Sequence, residues 1–196
     1  MRDFGSKGGA MGTAALEREI KLRFGTADEA RAAILAAGAS PLRGRRLQED
    51  CLLDTADNLL MKRRSVLRVR MECGKSRITY KGPVQPSPMK LREELETVVG
   101  DGEILLRLLG ELGFRPWFRY QKYREEFSCE DVVVALDETP IGTFVELEGS
   151  EQGITTVAER LGRGPADYVT DSYRTIFAAW LRDRGLPGGD MVFDEA

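Results

Sequence analysis

Histidine is absent from this 196-residue sequence, and that one absence excludes a good deal of chemistry. Serine–histidine and cysteine–histidine nucleophile pairs are ruled out, as is any metal site built on imidazole. Acid–base work falls to carboxylates, lysines, tyrosines or water on a cation, and the cations left are hard ones with oxygen ligands. Cysteine is scarce. Cys51, Cys73 and Cys129 are odd in number and widely spaced in strand-like segments, which predicts reduced, buried thiols rather than a disulfide or zinc framework. No apolar run approaches the roughly 18 residues that a bilayer crossing needs, and the N-terminal stretch MRDFGSKGGAMG lacks the apolar centre of a secretion signal. A cytoplasmic location is the expectation. A surplus of basic charge is missing too. The formal net charge of -3 argues against a general binder of nucleic acid or anionic membrane, because a basic field holds those partners first. Any anion site must be local.

What the sequence does have is charge set in order. With 42% hydrophobic and 31% charged residues, the chain suits one sizeable core. We expect a Gly-rich leader over residues 1–13, with Met11 as an alternative start, one domain over 14–184, and a flexible tail over 185–196. The stretch LEREIKLRF (Leu16 to Phe24) alternates as a β-strand, with Glu17, Glu19, Lys21 and Arg23 on one face and mostly apolar residues on the other. Thr26-Ala27-Asp28-Glu29 has capping-box form and opens a helix that Gly38 and Pro41 close. Further strands are expected over 47–54, 65–73, 77–81, 89–99, 119–129, 132–137 and 143–148. Helices are expected over 104–112, 154–161 and 168–184, the last with Val169, Tyr173, Ile176, Phe177 and Trp180 on its apolar face. About eight antiparallel strands in so modest a chain favour a closed barrel, since closure removes exposed edges. The fold class is therefore α+β.

The polar faces of these strands repeat like charges at i and i+2: Glu17 and Glu19 before Lys21; Arg68 and Arg70; Thr79 and Lys81; Arg92 before Glu94 and Glu96; Lys122 and Arg124; Asp137; Glu146 and Glu148. An ordinary solvated sheet face intersperses the two signs to relieve repulsion. If these faces point into a barrel, the lumen is a charged tunnel that must stay wet or bind something. A polyphosphate with divalent cations satisfies both signs, the bases taking phosphate oxygens and the acids holding Mg²⁺ or Mn²⁺.

These residues also carry a resemblance. Glu17-Arg18-Glu19-Ile20-Lys21 resembles the Glu-x-Glu-x-Lys signature of the CYTH superfamily, also called triphosphate tunnel metalloenzymes. Similar blocks follow in the family's order: Gln48-x-Asp50 with Leu53-Asp54-Thr55-Ala56-Asp57, Leu67-Arg68-Val69-Arg70, Thr79-Tyr80-Lys81-Gly82-Pro83, Arg92-Glu93-Glu94-Leu95-Glu96, Lys122-x-Arg124, Leu136-Asp137 and Phe144-Val145-Glu146-Leu147-Glu148. Leu52 and Leu53 depart from the family's aromatics. The resemblance implies a closed eight-stranded antiparallel tunnel with flanking helices. Lys21, Arg68, Arg70, Lys81, Arg92, Lys122 and Arg124 would bind phosphate, and Glu17, Glu19, Asp137, Glu146 and Glu148 would hold one or two Mg²⁺ or Mn²⁺ ions. Glu17, Glu19, Lys21 and Lys81 would be catalytic, with Glu94 and Glu96 as supporting groups.

The resemblance further implies a triphosphate-containing small molecule as the partner, with no nucleic acid or membrane, and leaves a homodimer open. Its members divide between hydrolysis of triphosphates and, in class IV adenylyl cyclases, cyclisation of ATP. The leading expectation is a metal-dependent triphosphatase acting on tripolyphosphate, thiamine triphosphate or a nucleoside triphosphate. The alternatives are the cyclase and a non-catalytic polyphosphate-binding module. Because the acids repel one another, removing Glu19 or Glu148 is expected to abolish turnover at little cost in stability. Gly74-Lys75-Ser76 resembles the end of a P-loop but lacks its leading glycine and reads as a hairpin turn. Tyr173, on an apolar helix face, reads as core.

Overall fold

The eight strands are β1 (Ala15–Phe24), β2 (Ser40–Thr55), β3 (Val66–Glu72), β4 (Lys75–Lys81), β5 (Lys90–Val99), β6 (Phe114–Cys129), β7 (Val132–Thr139) and β8 (Gly142–Glu148). In this computed structural model, which describes residues 15–194, they pair antiparallel and close into a barrel in the order β1-β5-β4-β3-β2-β6-β7-β8. The leader expected over 1–13 and the choice of start at Met1 or Met11 lie outside the described residues. No helix among the described residues is long and apolar enough to cross a membrane.

Alternation gives each strand one face for the lumen and one for the outer layer. The outer residues Ile20, Leu22, Val134, Leu136, Val145 and Leu147 form one core with Ile34 of α1 (Ala27–Ala36) and Ile154 and Val157 of α4 (Glu151–Arg160). Each such large side chain, fully buried, contributes about 1.5–3 kcal/mol. Cys51, Leu53 and Val69 pack beneath Leu109 of α3 (Gly102–Glu111). A third cluster lines one end of the barrel. There the inner faces turn apolar at Leu52, Phe118 and Phe144 and receive Tyr173, Ile176 and Phe177 of α5 (Tyr173–Arg184).

Several sequence expectations need correcting. β2 begins at Ser40 rather than 47, and β6 at Phe114 rather than 119. Pro41, Gly44 and Pro116 disguised these ends, and the structure absorbs them as register shifts between Pro41 and Arg43, Arg43 and Arg46, and Leu52 and Leu53, the last opposite Pro116. A one-turn helix, α2 (Leu59–Lys62), was not expected. It forms where the Asp54 carboxylate accepts from the Leu60 and Met61 N–H groups, each at 2.9 Å. The last helix starts at Tyr173, capped by Ser172, whose Oγ accepts from Thr175 N at 3.1 Å. Val169 precedes it and bridges Lys21 of β1, where β5 has left the side of that strand.

The described part of the segment after α5 docks on the barrel through Met191. Met191 is buried and lies along β6, donating to Arg119 O at 3.0 Å and accepting from Gln121 N at 2.8 Å. Cys51 and Cys129 are buried free thiols as expected, but Cys73 is exposed. It shares with Gly74 a two-residue β3–β4 turn in which both residues have positive φ (48° and 71°), the conformation such a hairpin demands.

Candidate active site

The residues expected to bind phosphate, to hold metal or to support them line one lumen of about 800 Å³, with Asp137 the exception. The barrel order gathers most of them by sign, with Lys21 on β1 and Arg92 on β5 as bases among the acids. β8, β1 and β5 are adjacent and carry Glu146 and Glu148, Glu17 and Glu19, and Glu94 and Glu96. β3 and β6, across the barrel, carry Arg68, Arg70, Lys122 and Arg124, while Lys81 projects from β4. Register places Glu19 beside Glu148 and Lys21 beside Glu146 on one flank of β1, and Glu17 beside Arg92 and Glu19 beside Lys90 on the other.

The basic wall is held from behind by two carboxylates. Asp50 binds Arg70 through two bonds, from Nε at 2.8 Å and Nη2 at 3.1 Å, and stands 3.4 Å from Arg68 Nε. Arg68 Nη2 also donates to Thr79 Oγ1 at 3.1 Å, and that hydroxyl donates to Glu96 at 2.8 Å. Asp137 accepts from Lys122 Nζ at 2.8 Å, from Arg124 Nε at 2.7 Å and Nη2 at 2.6 Å, and from the Tyr173 hydroxyl at 2.7 Å. Its side chain is fully buried and both its oxygens are taken. The metal-ligand expectation for Asp137 therefore sits poorly with its place behind the wall, where it fixes two bases. Tyr173, read as plain core, has both roles: its ring packs edge-on against Phe144 and its hydroxyl points to Asp137, with the Lys21 and Lys122 ammoniums 5.3 and 4.9 Å from the ring centroid.

The acid wall is only partly compensated. Glu19 lies 3.2 Å from Lys21 and 2.5 Å from Lys90, and Lys21 is 3.4 Å from Glu146. Lys81 is 3.3 Å from Glu17 and also contacts Glu94, while Arg124 reaches Glu146. Glu148 has no basic partner among the described residues. Lys90 is a site residue that sequence reading missed, although it stands two before Arg92 on the same strand face. Asp50 appeared only as part of a motif block.

These environments move the ionisations. Burial raises the Glu148 carboxyl, and the neighbouring Glu17, Glu19 and Glu146 raise it further, to about 8. Burial and the proton shared with Glu17 lift Glu94 to about 7. Burial also opposes ionisation of Glu19 and Glu146, but Lys21 and Lys90 around the first, and Arg124, Lys122 and Lys21 around the second, hold both well below the usual carboxylate range. Burial, with Arg124 nearby, lowers Lys122 to about 8, and burial similarly lowers Lys90 to about 8.

Hard carboxylate oxygens on adjacent strands, one of them without a base, have the donor chemistry of a divalent-cation site. Among the described residues no three are already drawn together as a cage. The carboxylates turn to lysines instead, so a bound ion would compete with Lys21, Lys81 and Lys90 for them.

The CYTH domain pattern matches residues 15–173. A Methanocaldococcus jannaschii protein named "putative adenylate cyclase" is 30% identical over 136 residues, spanning 69% of this chain and 77% of its own length. The structure of the PH1012 protein from Pyrococcus horikoshii superposes with a TM-score of 0.69 at 29% identity, covering 80% of this chain and 96% of that one. A Hippeastrum protein described as a "putative adenylyl cyclase" with a dominant triphosphatase activity shares the fold, with a TM-score of 0.55, 19% identity and 88% of each chain covered. With a charged lumen inside a closed barrel and that match over most of its length, the chain belongs to the CYTH family.

Proposed function

We propose that this protein is a divalent-metal-dependent triphosphatase that hydrolyses tripolyphosphate, thiamine triphosphate or a nucleoside triphosphate within the lumen. The observation that carries this reading is the division of the lumen into a basic wall on β3 and β6 and an acidic wall on β8, β1 and β5, where Glu17, Glu19, Glu94, Glu96, Glu146 and Glu148 outnumber Lys21, Lys90 and Arg92. A phosphate chain alone would satisfy the first wall and be repelled by the second, so the pair of walls suits an anion that arrives with cations.

Lys21, Arg68, Arg70, Lys81, Lys122 and Arg124 hold the phosphate oxygens, with Arg92 at the edge of the acid wall. Arg68 and Arg70 are pre-aimed by Asp50, and Lys122 and Arg124 by Asp137, so little side-chain freedom remains to be lost on binding. Glu17, Glu19, Glu146 and Glu148 would hold Mg²⁺ or Mn²⁺, which when bound supplies positive charge against the phosphate oxygens. Water attacks the terminal phosphorus in line, a new P–O bond forms, the bridging P–O bond breaks toward the leaving diphosphate, and the proton of the water passes to the released phosphates or to solvent. Phosphoryl transfer of this kind depends on positioning and charge neutralisation, which fixed bases supply without covalent help.

Phosphate release from tripolyphosphate, thiamine triphosphate and ATP, with Mg²⁺ or Mn²⁺, tests the reading, and no release from any of them rejects it. Arg70→Ala removes a bidentate-capable base that the substrate meets in its ground state as well as later, so KM is expected to rise at least tenfold with a smaller change in kcat. A second reading, cyclisation of ATP to cyclic AMP and pyrophosphate, is favoured by the name of the M. jannaschii relative. Chromatography of the products from ATP separates the two.

A further inference from the structure

Nearly every cation lining the lumen has a carboxylate within salt-bridge distance. Arg77 has Glu96 at 3.2 Å and Arg92 has Glu94 at 3.4 Å, and the others are paired as described above. Arg174, on the first turn of α5, is the exception among the described residues. Its guanidinium lies instead over two aromatic rings of β6, 5.7 Å from the centroid of Trp117 and 5.3 Å from that of Phe118. Phe118 is buried and belongs to the core under α5, whereas Trp117 stays 37% exposed and borders the same cavity as the phosphate-binding bases. Phe118 pairs with Leu52, and Leu52 with Arg68, so two strand spacings, about 10 Å of backbone, separate the strand that carries Trp117 from the one that carries Arg68.

A part-exposed indole and a cation with no carboxylate partner, both bordering an anion-binding lumen, are not accounted for by the phosphate chain. We propose that this part of the lumen is a nucleoside subsite: the base stacks on Trp117 while Arg174 meets the phosphate next to the ribose. The substrate is then a nucleoside triphosphate. This rests on the triphosphatase reading and narrows it. Inorganic tripolyphosphate has nothing to place on Trp117, and thiamine triphosphate would bring its thiazolium cation against the unpaired Arg174. Among the described lining residues there is no asparagine or glutamine, and the Ser172 and Thr175 hydroxyls bond to each other at 2.9 Å. Recognition is therefore by stacking, tolerant of the base and favouring purines over pyrimidines.

The sequence has two tryptophans, so Trp180→Phe leaves Trp117 as the sole indole reporter. In that protein with Mg²⁺, β,γ-imido-ATP is expected to quench the tryptophan emission, while tripolyphosphate binds without doing so. Calorimetry should show that Trp117→Leu weakens the ATP analogue about 5- to 150-fold more than it weakens tripolyphosphate, the range of one base–aromatic stack. Arg174→Ala, at a half-buried position with no carboxylate partner, should favour tripolyphosphate over the analogue in the same direction and narrow the gap between ATP analogue and thiamine triphosphate. Equal weakening of both ligands by Trp117→Leu, or equal quenching by both, overturns the nucleoside subsite and leaves the triphosphatase reading standing. If neither ligand binds the parent protein, both fall.

Discussion

Glutamine in place of Glu148 is expected to raise the Tm of the metal-free protein at pH 8 and to lower metal-dependent phosphate release by about 10²–10³-fold, the scale of losing one contact to transition-state charge. Both effects come from the same crowding. Glu148 has acids around it and no basic partner among the described residues, and its carboxyl is raised from the usual 4.5 to about 8, with Glu94 raised to about 7. Between pH 4.5 and 8 the folded protein therefore holds protons that the unfolded chain has released. Their contribution to stability is complete below about 4.5 and gone above about 8, so it declines as pH rises through that window. Glu19 and Glu146, held low, act in the opposite direction and cost stability only on acidification below their usual range. Lys90 and Lys122, lowered to about 8, let stability recover between 8 and the usual 10.5.

Melts of the parent protein in EDTA should thus peak near pH 5 and dip near pH 8. Glu148→Gln should fill in part of the dip and match the parent at pH 5. A variant that melts lower than the parent at pH 8 would show that Glu148 is not under electrostatic load. The expectation that Glu19 and Glu148 behave alike does not survive the structure. Glu19 neutralises both Lys21 and Lys90, so its removal strands a buried ammonium and costs stability that the loss of Glu148 does not.

How much of this was legible beforehand follows from what a sequence encodes locally. Alternation is a two-residue rule, so the charged faces of LEREIKLRF, of Arg68 and Arg70 and of Glu146 and Glu148 could be read directly, and barrel closure followed from counting strands and disliking edges. The ends of β2 and β6 could not, because Pro41 and Pro116 ordinarily stop strands and only a bulge against a particular partner accommodates them. Nor could the pairing of charges. Whether Glu19 meets Lys90 or Arg92 depends on the β1–β5 register, set by residues more than seventy apart in the chain. The same limit hid Asp50 behind Arg70 and left Tyr173 looking apolar, since its hydroxyl finds a partner only when α5 docks on the barrel. Docking of Met191 along β6 is likewise a contact between distant segments, and the Gly- and Pro-rich start of the tail masked the apolar Met191-Val192-Phe193 behind it.

Asp137→Ala is expected to be the most destabilising of the single substitutions in the lumen. The side chain neutralises Lys122 and Arg124 and accepts the Tyr173 hydroxyl, all buried. Breaking a buried ion pair from one side costs about 3–5 kcal/mol, because the surviving charge keeps its desolvation penalty without its partner. In a chain of this size that is a Tm loss of roughly 6–20 °C. Lys122 can relieve its share by releasing a proton, since burial has already lowered it to about 8; Arg124 cannot, and must lean further on Glu146. The double variant with Arg124→Met should therefore melt higher than Asp137→Ala alone, a non-additivity that only a shared network produces. The magnitude also decides between two roles. If Asp137→Ala keeps the parent Tm and loses Mg²⁺ binding by calorimetry, the carboxylate belongs with Glu17, Glu19, Glu146 and Glu148. If it melts low and the double variant recovers, Asp137 serves the reaction by holding the phosphate-binding bases at the lumen wall.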